Sequence, residues 1–218
     1  MTESKNFWSK KSKPLKTRLQ EAIVKSILLD RKTDFYKEDR GLNVVVLGGP
    51  NFKKVAKMYY PLIKQGGCLH SAELDERIVR EQKKQLATLP EAIRNVADVH
   101  HEDWFAVAER QVRLSLDLYL EMDFCNTVEH QWGRGLGKLR RVVKKVNPRV
   151  RKVHSSVTHS FSRRRTNANT RQFLLTSMPK VWESAGWVCT EKRVKPYCNG
   201  AFGGLSMLTA IYTFERAV

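Results

Sequence analysis

Residues 42–50 read LNVVVLGGP, a short, mostly apolar, β-branched run closed by two adjacent glycines and a proline. The run does not alternate polar with apolar, so both faces of the strand must be buried, as in the centre of a parallel sheet. The chain then turns sharply into a helical pattern from Asn51 or Phe52 to Lys64, ended by Gly66 and Gly67. The same strand–helix unit recurs downstream. Strands are predicted at Cys68–Glu73, around Asn95–Val99, at Ser115–Met122 and within Lys152–Phe161. Helices follow at about Asp75–Leu86, near Trp104–Gln111, at about Thr127–Val146 and about Thr170–Ser184. Trp187–Lys195 and Ser206–Phe214 are strand-like runs joined by a turn, Tyr197–Gly204, too short to hold a helix, so they should pair antiparallel. The prediction is an α/β fold: a Rossmann-like, mostly parallel seven-stranded sheet with helices on both faces and a C-terminal antiparallel hairpin.

Upstream, residues 1–40 read as a basic N-terminal arm followed by a helix, whose apolar positions between Leu15 and Leu29 keep a helical period. Residues 41–218 form the domain. Its size suits one core and is too small for two ordinary domains with linkers. No stretch approaches the roughly 18 apolar residues of a membrane span, and the first residues lack a secretory signal, so a soluble, intracellular protein is expected. Cys68, Cys125, Cys189 and Cys198 show neither the close pairs of a zinc site nor the density of a disulfide scaffold. His100 and His101 are adjacent and point apart on an extended segment, so no metal site is expected. Gly133–Lys138 lacks the glycine and the Ser/Thr of a phosphate-binding Walker loop.

In an open parallel sheet, ligands bind beyond the carboxyl ends of the strands, so the residues just after each strand carry the information. After the first come Gly48, Gly49, Pro50 and Asn51, small residues that admit a ligand to the backbone ahead of a helix N-terminus. After the second comes Glu73, able to accept both hydroxyls of a ribose. After the third come Asp103 and Trp104, a carboxylate for an adenine amino group with an aromatic nearby. After the fourth come Asp123, Phe124, Cys125 and Asn126.

These segments resemble class I methyltransferases that use S-adenosylmethionine, over roughly residues 42–216. VVVLGGP is similar to their first motif, SAELD to the segment with the ribose-binding acid, HHEDWF to that with the adenine-binding acid, and LYLEMDFCNTV to the motif bordering the methyl donor. The pairing of DFCNT with THSFSRR is similar to divergent members from viruses and mobile elements. The resemblance implies S-adenosylmethionine held over Gly48, Gly49, Asn51, Glu73, Asp103, Trp104 and Asp123. Asp123 would orient or deprotonate the acceptor, and Asn126 would act as a polar orienter. Two departures stand out. The family spaces three glycines after an acid, where this chain has adjacent Gly48 and Gly49 and then Pro50. The paired prolines of exocyclic-amine methylation are absent at Asp123–Asn126. Asp123 is read equally well as a cap for the helix that follows, and Cys125 as a packing cysteine.

The chain carries 40 Lys+Arg against 22 Asp+Glu, a formal charge of +18, which points to a polyanionic partner. Between Glu129 and Glu183 there is no acid and there are fourteen Lys/Arg. Helical spacing puts Leu136, Leu139, Val142 and Val143 on one face and Lys138, Arg141, Lys144 and Lys145 on the other. Arg134 and the run Arg163, Arg164 and Arg165 extend the field, and nucleic acid is the expected partner. An anionic membrane surface competes, yet no helix pairs a basic face with the aromatic face that interfacial binding favours. The sequence is therefore read as a nucleic-acid methyltransferase, RNA ahead of DNA. The rival is a non-catalytic protein of the same fold that binds nucleic acid or builds a virion. A small-molecule methyltransferase would leave the charge unexplained.

Overall fold

The computed structural model describes residues 12–33, 41–115, 117–123, 128–160, 167–198 and 206–217. In chain order the elements are α1 (Ser12–Thr33), β1 (Asn43–Leu47), α2 (Phe52–Ile63), β2 (Cys68–Ala72), α3 (Glu76–Ala87), α4 (Glu91–Arg94) and β3 (Ala97–His100). There follow α5 (Trp104–Leu114), β4 (Leu118–Asp123), α6 (Val128–Lys144), β5 (Lys152–Ser160), α7 (Asn167–Gln172), a π-helical turn (Phe173–Ser177), α8 (Met178–Glu183), β6 (Trp187–Cys198) and β7 (Ser206–Arg216). The described strands form one sheet in the order β3-β2-β1-β4-β5-β7-β6. The first five run parallel, and β7 inserts antiparallel between β5 and β6. The expected α/β sheet with a closing hairpin is therefore the observed one.

The apolar run of β1 is central because each successive valine faces a different core. Val44 and Val46 pack with Ile23, Val24 and Ile27 of α1 and with Phe52, Tyr59 and Leu62 of α2. Val45 packs on the opposite face, where α5, α6 and α8 contribute Val107, Leu139 and Trp182. Helix α1 is seated by polar contacts as well: Gln20 Nε2 donates to Glu121 Oε1 at 2.7 Å, and Asp30 lies 3.3 Å from Lys152 Nζ. The entry to β1 needs two glycines. A Cβ on Gly41 would sit 2.3 Å from the Gly67 nitrogen, and one on Gly67 would sit 2.1 Å from the Leu42 carbonyl oxygen. That close approach lets the residues before β1 pass over the end of α2.

Two elements depart from the sequence reading. Pro90 starts the short helix α4, in a stretch expected to run directly into the third strand. The single helix expected at about Thr170–Ser184 starts earlier, at Asn167, and is interrupted by the π turn. Pro179 explains the interruption, because it has no N–H to give the Leu175 carbonyl one turn back. Lys192 Nζ of β6 donates to that oxygen at 2.8 Å, and Tyr212 Oη of β7 donates to the Leu174 oxygen at 2.6 Å.

Candidate functional site

Strand order reverses between β1 and β4, the position at which open parallel sheets form a ligand-binding crevice, and the tips of β2 and β3 flank it. Gly48 and Glu73 meet there. The Gly48 amide donates to the Ala72 oxygen at 2.6 Å, and a Cβ on Gly48 would fall 2.6 Å from the Glu73 Cβ and 2.7 Å from Gln82 Nε2. Gly48 is thus fixed as glycine by the packing of neighbouring strand tips. Gly49 is different, since a Cβ there would meet nothing within 4 Å and would point into open space.

Two glutamines of α3 hold this loop, and nothing in the local sequence pattern marked them. Gln82 is wholly buried. Its Nε2 donates to the Gly49 oxygen at 3.0 Å while its Oε1 accepts from Ser71 Oγ at 3.0 Å. Gln85 donates to the Pro50 oxygen at 2.7 Å and accepts the Lys53 amide at 2.9 Å. That amide belongs to the first turn of α2, so a side chain already satisfies part of the helix N-terminus. Asn51 precedes α2, exposed and without a side-chain capping bond.

Glu73 is held at the tip of β2 because its Oε1 accepts the amides of Leu74 (2.8 Å) and Asp75 (3.0 Å). Asp103 performs two structural tasks. Its Oδ1 caps α5 by accepting the Phe105 amide at 2.7 Å, and its Oδ2 pairs with Lys138 of α6 at 3.0 Å. Trp104 departs from its expected place beside a ligand. It begins the apolar face of α5, is 3% exposed, and packs edge-to-face on Phe105 in the core. Asp123 ends β4, half-exposed, in register with Thr158 of β5. Phe124, Cys125, Asn126 and Arg163–Arg165 lie outside the described residues, as does the side chain of Arg134.

Two cations of the expected basic face of α6 are engaged in ion pairs with α5 and the residue that caps it. Lys138 is taken by Asp103, and Lys145 forms an ion pair with Glu109 of α5, an interaction that holds the Glu109 carboxyl below the usual carboxylate range. Among the described side chains of this helix, the exposed cations are Arg140, Arg141 and Lys144. Arg140 was not singled out from the sequence, because it sits between the two faces of the helical pattern.

A second polar cluster lies at the other edge of the sheet, where no metal site was expected. Cys68 and His70 of β2 face Asp98 and His100 of β3. Cys68 Sγ is 3.6 Å and His70 Nδ1 is 3.7 Å from Asp98 Oδ2, and His70 Nδ1 is 3.2 Å from His100 Nε2. Burial drives the His70 pKa down to about 4, and burial with the Asp98 carboxylate beside it pushes the Cys68 thiol up to about 12.

No protein-family model and no curated protein matches the chain in sequence. Solved structures do match in fold. The M. jannaschii TYW2 structure in complex with AdoMet superposes with a TM-score of 0.57 at 10% identity, covering 98% of this chain and 80% of that one. The methyltransferase domain of bacterial CtHen1 gives 0.55 at 14% identity, over 94% of this chain and 100% of the other. A Pyrococcus horikoshii protein described as an RNA methyltransferase gives 0.55 at 15% identity, over 92% and 85%. At these identities the likeness establishes the class I methyltransferase fold, the one expected from the sequence.

Proposed function

We propose that the chain is an S-adenosylmethionine-dependent methyltransferase acting on nucleic acid, with RNA favoured over DNA. The observation that carries this reading is the meeting of Gly48 and Glu73 at the strand-order reversal, with open space above Gly49.

The residues present fit an adenosyl group in part. Gly49 leaves room for it. Glu73 has one oxygen anchored by its own loop, and its Oε2 is unengaged among the described residues, so it can accept from a ribose hydroxyl. Asp103 uses one lone pair on each oxygen, and a carboxylate offers about four such sites, so it can still accept from an adenine amine. The bound donor would supply an already activated sulfonium methyl group. The protein's part is then to align acceptor and donor and to exclude water. Asp123, at the tip of β4, is the residue we assign to orienting or deprotonating the acceptor, with Asn126 beside it in sequence. Nucleic acid as the acceptor class rests on the charge of +18 and on the exposed Arg140, Arg141 and Lys144 of α6.

One observation favours the rival, a non-catalytic nucleic-acid-binding protein of this fold. Gln85 and Lys138 already occupy groups that a ligand of the crevice would use. Calorimetry with S-adenosylmethionine and S-adenosylhomocysteine, on the wild type and on Glu73→Ala, separates the two. Saturable binding weakened at least ~10-fold by the substitution is expected, the scale of one or two hydrogen bonds to a charged group. No binding of either compound, with salt-sensitive RNA or DNA binding retained, selects the rival.

A further inference from the structure

We propose that Cys68, His70, Asp98 and His100 form a binding site for a single Zn²⁺-class ion, which staples the edge strand β3 to β2. This site is independent of the crevice, and its failure would leave the methyl-transfer reading untouched.

Residues two apart on a strand share a face, and His70 and Asp98 are direct partners in the parallel register of β2 and β3. A Cys-x-His on one strand and an Asp-x-His on its neighbour therefore put four donor groups on one side of the sheet edge. The side chains converge as this placement requires. One ligand atom each from Cys68, His70 and Asp98 lies within 4.8 Å of the others, and Asp98 Oδ2 stands 3.6 Å from Cys68 Sγ and 3.7 Å from His70 Nδ1. A tetrahedral zinc ion with bonds of about 2.0–2.3 Å separates its ligand atoms by about 3.3–3.8 Å. Those two edges already have tetrahedral length, whereas His100 Nε2, 3.2 Å from His70 Nδ1, lies outside the group of three and would have to move in to take the fourth corner.

The donor chemistry suits a borderline ion: one sulfur, two imidazole nitrogens and one carboxylate oxygen. Of these, His70 is 6% exposed, whereas the Asp98 side chain is open to solvent and gives the ion an entry path. On its far side His100 Nδ1 faces the Arg110–Glu102 ion pair, 3.5 Å from Arg110 Nη2 and 3.9 Å from Glu102 Oε1. The ion would also fix the end of β3, from which residues 101–103 lead to Asp103.

The test is titration of the full-length, tag-free protein with Co²⁺ and then Zn²⁺ at neutral pH. Expected are saturable uptake of about one equivalent, a visible spectrum of four-coordinate Co²⁺ with a thiolate charge-transfer band, displacement by Zn²⁺, and a higher thermal midpoint with Zn²⁺. Cys68→Ser should lose the charge-transfer band. Asp98→Asn, at an exposed position that leaves the fold intact, should weaken binding by roughly 10-fold or more. Absence of saturable uptake would overturn the proposal, and so would uptake whose spectrum and affinity are the same in both variants.

Discussion

Gly48 and Gly49 are neighbours in sequence and opposites in space, so alanine at each should produce opposite effects. In Gly48→Ala the new methyl would stand 2.6 Å from the Glu73 Cβ, 2.7 Å from Gln82 Nε2 and 3.0 Å from the Ala72 oxygen. Carbon atoms prefer about 3.5–4.0 Å, so the overlap with Glu73 is about 1 Å, and a Cβ next to the backbone cannot swing aside. The tips of β1 and β2 must separate, which costs about 1–3 kcal/mol in overpacking. Separation also strains the Gly48–Ala72 backbone bond and the Gln82–Gly49 bond, worth about 1 kcal/mol each. A total near 2–4 kcal/mol lowers the thermal midpoint of a chain this long by roughly 5–15 °C. Gly49→Ala adds a methyl to empty space at a φ that is not positive, so its stability should stay within ~0.5 kcal/mol of wild type. That methyl occupies the space assigned to the donor, and affinity for S-adenosylhomocysteine should fall. Differential scanning calorimetry with ligand titration on both variants is the assay. A stable Gly48→Ala, or a Gly49→Ala that unfolds early yet binds normally, would refute the reasoning.

Other substitutions probe the rest of the molecule. Tyr59→Phe removes the hydroxyl that donates to the buried Glu121 at 2.6 Å, and should cost about 1–3 kcal/mol, read as a lower urea midpoint at unchanged slope. Gln82→Ala leaves the Ser71 hydroxyl and the Gly49 carbonyl without their partner; a loss of about 1–3 kcal/mol is expected by the same assay. Replacing Arg140, Arg141 and Lys144 together by Ala should reduce the slope of log K against log salt for RNA or DNA binding by about 2–3, and an unchanged slope would remove α6 from the interface. Burial raises the pKa of Tyr59, Tyr119 and Tyr212 above the ordinary tyrosine value near 10. The folded state keeps these protons, so the stability they contribute is present below about pH 10 and lost as pH rises through the folded values. Absorbance at alkaline pH should show the three ionising only together with loss of the fold.

The sheet was legible in the sequence because its information is local. Three successive valines in LNVVVLGGP announce burial on two faces, and the short turn after Lys195 leaves an antiparallel hairpin as the one available arrangement. The tips carrying Gly48, Glu73, Asp103 and Asp123 follow from strand boundaries alone. Contacts between elements were not legible. Gln82 and Gln85 look like ordinary polar residues of an amphipathic helix until α3 is laid beside the loop at Gly49. Trp104 was misplaced because the first residue of a helix can face either the crevice or the sheet, and only the phase of α5 decides. The Cys68 cluster was missed because its members come from two strands, thirty positions apart for the His70–His100 pair, and join only through register. Pro179 was visible, but its consequence depends on Lys192 arriving from β6.

The seat of α1 bears on how the chain is made. Asp30 finds Lys152 across 122 positions, and Gln20 finds Glu121 across 101. At a translation rate of about 5–20 residues per second, that gap is about 6–25 s, during which the α1 segment lacks the strand that will anchor it. Its apolar stripe of Ile23, Val24 and Ile27 has only part of its cover in the meantime, and apolar surface left open in this way is what makes incomplete chains prone to association.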